Sequence, residues 1–313
     1  MIQKNPDTFT VAFYNVENLF DIKNDPYTND DDFLPTGAKR WTQKRYTNKL
    51  LKLGAVISKI GAENIETSPV IIGLAEVENK QVLSDLIKSK TLINEDYSYI
   101  HYDSLDERGI DVAFLYKSAI FKVEHYERFS IYLQSDFREQ DYTRDILLVR
   151  GILNNETIHI LVNHWSSRRE GVKTTEHKRI AGSNKVQSII RAIKKESPNA
   201  KIIVMGDFND NPDDESITMM ENESMLYNPF KTVWSRDKGS LNHNFQWNLF
   251  DQILFSTNFF DNRNSSLIFK NANVFNSKNL IQYQGKYKGH PFRTYTGKYY
   301  KGGYSDHFPV YIE

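Results

Sequence analysis

The sequence predicts one α+β domain in which many short strands are interspersed with a few helices. Apolar or β-branched runs of strand length recur from Phe9 to Ile312, spaced evenly along the chain. Helical spacing of apolar residues is confined to a few stretches, with the clearest near residues 42–60 and 174–195. No repeat or linker divides the 313 residues, so 1–313 reads as a single domain.

Composition excludes several classes. Lys plus Arg and Asp plus Glu both number 40, and a formal net charge of zero argues against coating nucleic acid through bulk charge. A local basic cleft stays open. With no cysteine there is no disulfide or thiolate metal site, so any metal must be held by oxygen or imidazole nitrogen. The start, MIQKNPDTFT, lacks an apolar leader segment, and no run approaches the length of a membrane span. The chain reads as soluble and monomeric without stable membrane insertion; its compartment is open between cytoplasm and export with a removed leader.

In chain order, Phe9–Tyr14 alternates as a strand. Residues 21–40 form a polar loop whose Asp30-Asp31-Asp32 lacks the later ligands of a calcium loop. Thr42 is the N-cap of a helix reaching about Ile60, with Gly61 as its stop. Val70–Ala75 is a strand buried on both faces, followed by a helix over 80–88 and strands over 97–102, 110–116 and 123–133. Ile146–Leu153 and Thr157–Asn163 make a hairpin around Asn154-Asn155-Glu156. A basic loop, 166–173, precedes a helix over 174–195 with Ile180, Val186, Ile189, Ile190 and Ile193 facing inward. Ile202–Met205 is a second fully apolar strand, and a short helix follows the turn-rich NDNPDD. Strands over 250–255, 267–275 and 308–312 complete the set, with a long surface loop over 276–303.

One pattern recurs along this order. An apolar strand ends, and a residue able to bind metal or move a proton sits just past it. This happens at Asn15, Glu76, His164, Asp207 with Asn209, Asp251, and Asp306 with His307. Each taken alone has a bland reading, such as a helix-start charge, a turn residue or a structural histidine. Converging at one edge of packed sheets, they make a carboxylate–amide site with two histidines. That set suits a hard cation such as Mg²⁺, with Mn²⁺ or Ca²⁺ as substitutes, better than zinc. Metal, imidazole and carboxylate together fit phosphoester hydrolysis.

The segments YNVENLF (14–20), LAEVEN (74–79), RGIDVAFLY (108–116), NHW (163–165), GDFND (206–210), FDQIL (250–254) and SDHFPV (305–310) resemble, in order, those of the endonuclease/exonuclease/phosphatase family. The opening is similar to a bacterial branch. The resemblance implies a four-layer αββα sandwich, two packed mixed sheets flanked by helices, with the site at one end. It implies Glu76 as the principal Mg²⁺ ligand, with Asn15 and Asp306 close to the ion. It implies His307 as the catalytic histidine, oriented by Asp251. Asp207 and Asn209 would position water and phosphate, or hold a second ion. His164 would help protonate the leaving oxygen, with Asp111 its candidate partner or merely a strand-start charge. Arg108 and Arg168 are candidates for phosphate contact, and Arg169 a weaker one. Trp165 either stacks on a base or packs in the core. Gln252 departs from the family's usual residue after Asp251, GDFND lacks the inositol-phosphatase pattern, and no basic arm for abasic DNA is present.

The expected activity is therefore Mg²⁺-dependent phosphodiester hydrolysis, foremost of DNA or RNA. A monoesterase on small or inositol-type phosphates and a sphingomyelinase-like enzyme are alternatives, and an inactive binding domain is the reading of another class. Basic residues at 39–45, 168–173 and 286–301 could line a nucleic-acid path, with aromatics between Tyr283 and Tyr300 either stacking on bases or packing the loop down.

Overall fold

The computed structural model describes residues 8–134, 140–263 and 265–313; residues 1–7, which open the leader reading, lie outside the described residues. Its principal strands in chain order are β1 (Val11–Leu19), β2 (Ile71–Val77), β3 (Tyr97–His101), β4 (Asp111–Lys117), β5 (Phe121–Phe129), β6 (Ile146–Leu153), β7 (Glu156–His164), β8 (Lys201–Asp207), β9 (Leu226–Tyr227), β10 (Asp251–Ser256), β11 (Ala272–Val274) and β12 (Val310–Ile312). They build two six-stranded sheets, ordered β11-β12-β1-β2-β4-β3 and β9-β10-β8-β7-β6-β5. Both sheets are mixed: β1 and β2 run parallel in one, β7 and β8 in the other, and the remaining pairings are antiparallel.

The layers follow from residue alternation. In β8, Ile203 and Met205 join the core between the sheets, while Ile202 and Val204 face the opposite way. There they meet Val186, Ile189 and Ile190 of α3 (Glu176–Glu196) and Ile217 of α4 (Glu215–Ser224). The other sheet is covered by α1 (Gln43–Ile57) and α2 (Lys80–Ile87), through Leu53, Val56, Val82 and Leu86 among others. The result is the helix–sheet–sheet–helix sandwich that the family resemblance implied. Gly73 leaves room for the facing sheet: a Cβ there would lie 2.6 Å from Met205 Sδ. No helix among the described residues is long and apolar enough to cross a membrane.

Several boundaries differ from the sequence reading. β1 does not stop at Tyr14, and β2 does not stop at Ala75. Both run on through irregular register at Asn15/Leu19 and Ala75/Val77, so Asn15 and Glu76 lie within strands. The 123–133 segment begins at Phe121 and stops at Phe129; 267–275 contracts to Ala272–Val274 and 308–312 to Val310–Ile312. Thr42 is extended at the start of α1 but makes no capping hydrogen bond through its side chain. Ile180 is only partly buried; Arg179 takes the inward position. The hairpin turn is Asn154-Asn155, both at positive φ, as a two-residue turn with right-handed strand twist requires. The 276–303 loop is pinned by buried Leu280, Thr294 and Tyr295, with Tyr295 set against Phe33 and Trp41.

Candidate active site

Strand register assembles the centre of the site. His164, Asp207 and Asp251 end β7 and β8 and begin β10, and they lie directly opposite one another across adjacent strands of one sheet. Residues paired this way point to the same face. The other sheet supplies Asn15, whose Nδ2 donates to Asp207 Oδ2 at 2.9 Å. The segment entering β12 supplies His307, whose Nδ1 lies 2.7 Å from Asp251 Oδ2. His164 Nε2 and His307 Nε2 flank Asp207 Oδ2 at 3.7 and 4.0 Å. Asn209 closes the group: its backbone N–H donates to Asp207 Oδ1, and its side-chain amide donates to the Trp165 carbonyl, both at 3.0 Å.

Burial and charge drive these groups apart in protonation. For His164, burial and then the charges of Arg144, Arg108 and His307 push the imidazole well below its ordinary pKa, so it is neutral. Burial opposes charging of His307 too, but Asp251, through its charge and hydrogen bond, with Asp207 and Asp306, raises its pKa well above the ordinary value. Burial and then Asp251 raise Asp207 to about 6 against the opposing pull of His307, Asn15 and the Asn209 N–H. One carboxylate thus sits between a neutral imidazole and a charged one.

A second cluster, rich in oxygen, borders this group. Glu17, Asn18, Glu76 and Asn209 all adopt positive φ, a left-handed conformation costing a non-glycine residue about 1–2 kcal/mol. The turn at Asn18 lets its N–H donate to Glu76 Oε2 at 2.8 Å. Arg293 donates to Asp306 at 2.6 Å and lies 3.6 Å from Glu17. Lys49, buried in α1, is 4.0 Å from Glu17. Burial and then the Asp306 charge push Glu17 up to about 7, whereas Arg293, His307 and Lys49 hold the Asp306 carboxyl below its usual range against its own burial. Oxygen donors that are buried at Glu17 and half-buried at Asn18, Glu76 and Asp306, with no imidazole or thiol among them, fit a hard divalent cation. Asp207, Asp251 and His307 also offer atoms within 4.8 Å of one another, although the short Asp251–His307 hydrogen bond suits that trio to proton transfer.

The residues singled out in the sequence divide into two groups. Asn15, His164, Asp207, Asn209, Asp251 and His307 come together through the contacts above, while Asp306 adjoins them through Arg293 and its charge on His307, and Glu76 is held beside them by the Asn18 N–H. Arg108 joins their edge, donating to Asn18 Oδ1 at 3.1 Å and lining a cleft of about 230 Å³ with Ser166, Ser167 and Arg169. Three others have different partners. Asp111 does not face His164; it accepts from the Ser104 N–H and lies 3.9 Å from His101. Arg168 does not extend toward a phosphate, because Asp210, Asp214 and the Asn209 carbonyl take its guanidinium. Trp165 does not line the pocket: it is 1% exposed, edge-on to Phe208, with its indole N–H donating to Asn163.

Sequence reasoning missed Glu17, Lys49, Arg293 and Arg144. Arg144 binds the carbonyls of His164 and Trp165 and pairs with Asp106 at 2.8 Å, holding the end of β7 in place. Lys49 carried a readable signal: it lies on the apolar stripe of α1, with Tyr46, Leu50 and Leu53. Gln252, the departure noted above, acts as a clamp. Its amide donates to the Asp210 and Leu249 carbonyls and accepts from Asn228.

The chain belongs to the Endonuclease/Exonuclease/phosphatase family, whose model matches residues 10–313. Solved structures share the fold at low identity. A family protein from Bacteroides thetaiotaomicron is 16% identical, with TM-score 0.61 over 97% of this chain and 96% of that one. The B. thetaiotaomicron mannosyl-6-phosphatase is 16% identical, with TM-score 0.62 over 98% and 99%. D. rerio TDP2, complexed with a single-strand DNA product, is 11% identical, with TM-score 0.57 over 97% of each chain. No curated protein matches the chain.

Proposed function

We propose that the protein is a divalent-cation-dependent phosphoester hydrolase acting on phosphodiesters, with nucleic acid as the substrate class. The observation that carries this reading is the single carboxylate, Asp207, set between a neutral His164 and a charged His307 beside an oxygen-rich cluster. All three activities in the family's name break phosphoester bonds.

In this reading Asp207, fixed by Asn15 and the Asn209 N–H, orients the attacking water and, with its pKa raised to about 6, takes its proton. His307, kept charged by Asp251, stabilises negative charge developing on the phosphoryl oxygens. His164 is held neutral, so it serves as a hydrogen-bonding group; this departs from the leaving-oxygen acid that the resemblance implied. The reading gives Arg108 a phosphate contact; the cleft it shares with Arg169, Lys178, Asp141 and Glu170 supports a diester in a chain over a small monoester through Arg108 and Arg169 rather than through uniform positive charge. A Mg²⁺ ion bound by Glu76 and Asp306, near Asn15, would supply charge neutralisation at the phosphate; Mn²⁺ is the expected substitute.

The test is hydrolysis of plasmid DNA, RNA, bis-p-nitrophenyl phosphate and p-nitrophenyl phosphate, with Mg²⁺ or with EDTA. Diester cleavage that EDTA abolishes and Glu76→Gln reduces by about 10²-fold or more is expected. Turnover of the monoester alone would replace the substrate class. No turnover with any divalent ion would overturn the reading.

A further inference from the structure

A second group of potential ligands lies away from this centre, where β3 ends and β4 begins. His101 closes β3 and is 4% exposed, yet neither of its ring nitrogens has a hydrogen-bond partner. Its Nδ1 lies 3.7 Å from Asp103 Oδ1, and its Nε2 lies 3.9 Å from Asp111 Oδ2. Both distances exceed a hydrogen bond. A buried imidazole in that state lacks a partner that folded proteins nearly always provide. One atom each from His101, Asp103 and Asp111 lies within 4.8 Å of the other two. Donors about 2.0–2.2 Å from a shared ion stand at separations below that limit.

We propose that His101, Asp103 and Asp111 form a second cation site, for a divalent transition ion that accepts imidazole nitrogen and carboxylate oxygen. Zinc and manganese are the ions of that class; magnesium, which prefers oxygen alone, is disfavoured by His101. The carboxylates are placed for entry, since Asp103 and Asp111 line an open cleft of about 800 Å³ along with Ser104, Asp106 and Glu78. The hydrogen bonds from the Ser104 N–H to both Asp111 oxygens fix that carboxylate toward the group. Water can complete the coordination on the exposed side, where the Asp103 side chain is 76% accessible. An ion here clasps the end of β3 to the start of β4 and so fixes residues 102–110. That segment carries Asp106, which pairs with Arg144, and Arg108 at the edge of the active site.

The experiment uses the full chain, stripped with chelator and then equilibrated with micromolar Zn²⁺ in excess Mg²⁺. Bound zinc is counted by mass spectrometry, and the imidazole nitrogens are followed by ¹⁵N NMR. Wild type is expected to bind one more zinc equivalent than Asp103→Asn or His101→Gln, with a His101 ring nitrogen shifting on zinc addition. Asp103→Asn alters an exposed residue, so it reports on binding even if His101→Gln fails to fold. Equal zinc counts in wild type and Asp103→Asn overturn the proposal. So does a His101 ring insensitive to zinc with protons on both nitrogens, which would make it an imidazolium bridging two carboxylates.

Discussion

Replacing Asp251 with Asn removes one negative charge while keeping the side chain's shape. Asp251 is fully buried, and its Oδ2 lies 2.7 Å from His307 Nδ1. A hydrogen bond of this charged kind contributes roughly 1.5–3 kcal/mol. Its loss lowers the His307 pKa, since the charged imidazole loses its closest anionic partner. The amide also competes for ring tautomer, since its N–H can face a ring nitrogen where only an acceptor stood before. Loss of both charge and orientation is expected to reduce kcat/KM by about 10²–10⁴-fold. Stability follows with a defined sign. The folded-state pKa of His307 lies above its ordinary 6.5, so the pair's stabilisation is complete below that pH and is lost as pH rises through the folded value. The deficit of Asp251→Asn should therefore be full below the ordinary value of 6.5 and shrink as pH rises through the folded value, because an unpartnered imidazole can shed its proton. The assays are the pH profile of kcat/KM on bis-p-nitrophenyl phosphate and the Tm over the same range. A variant with near-wild-type turnover, or a Tm deficit that grows with pH, would refute the reasoning.

Two further variants separate packing from substrate contact. Trp165→Ala empties a site that is 1% exposed against Phe208, and a cost of about 3–5 kcal/mol is expected in denaturant unfolding; an unchanged midpoint would place the indole outside the core. Arg168→Ala leaves Asp210 with Arg179 at 2.7 Å but without its second cation, so stability should drop by about 1–3 kcal/mol with KM within about twofold of wild type. An intact Tm with a large rise in KM would return Arg168 to the phosphate-contact role.

How much was legible depended on how local each cause was. The KIIVM run of β8 marks a strand buried on both faces because each residue records its own environment, and Ile202–Met205 alternate between the two cores. The Asn154-Asn155 turn was readable because its backbone demands those residues. The ends of β1 and β2 were misjudged because Asn15, Glu17, Asn18 and Glu76 look like loop residues, while the irregular ladders keep pairing past them. Partnerships were least legible. Asp111 meets His101 because β3 and β4 pair antiparallel, with His101 opposite Ala113, and no local feature of the RGID segment specifies that register. Lys49 and Arg293 reach Glu17 from α1 and the 276–303 loop, a meeting that only tertiary packing specifies.

Two of the contacts that complete the active site join partners from different parts of the fold. Asn15 reaches Asp207 across 192 positions of chain, and His307 reaches Asp251 across 56. In each pair one partner belongs to the sheet of β1 or the segment leading into β12, and the other to the sheet of β8 and β10. Neither sheet carries both partners of either pair. A refolding chain can recover its strands, and most of its spectroscopic signal, while these partners remain far apart. Pairings of such long sequence separation form slowly. Under the proposed function, recovery of turnover on refolding is expected to report the docking of one sheet on the other.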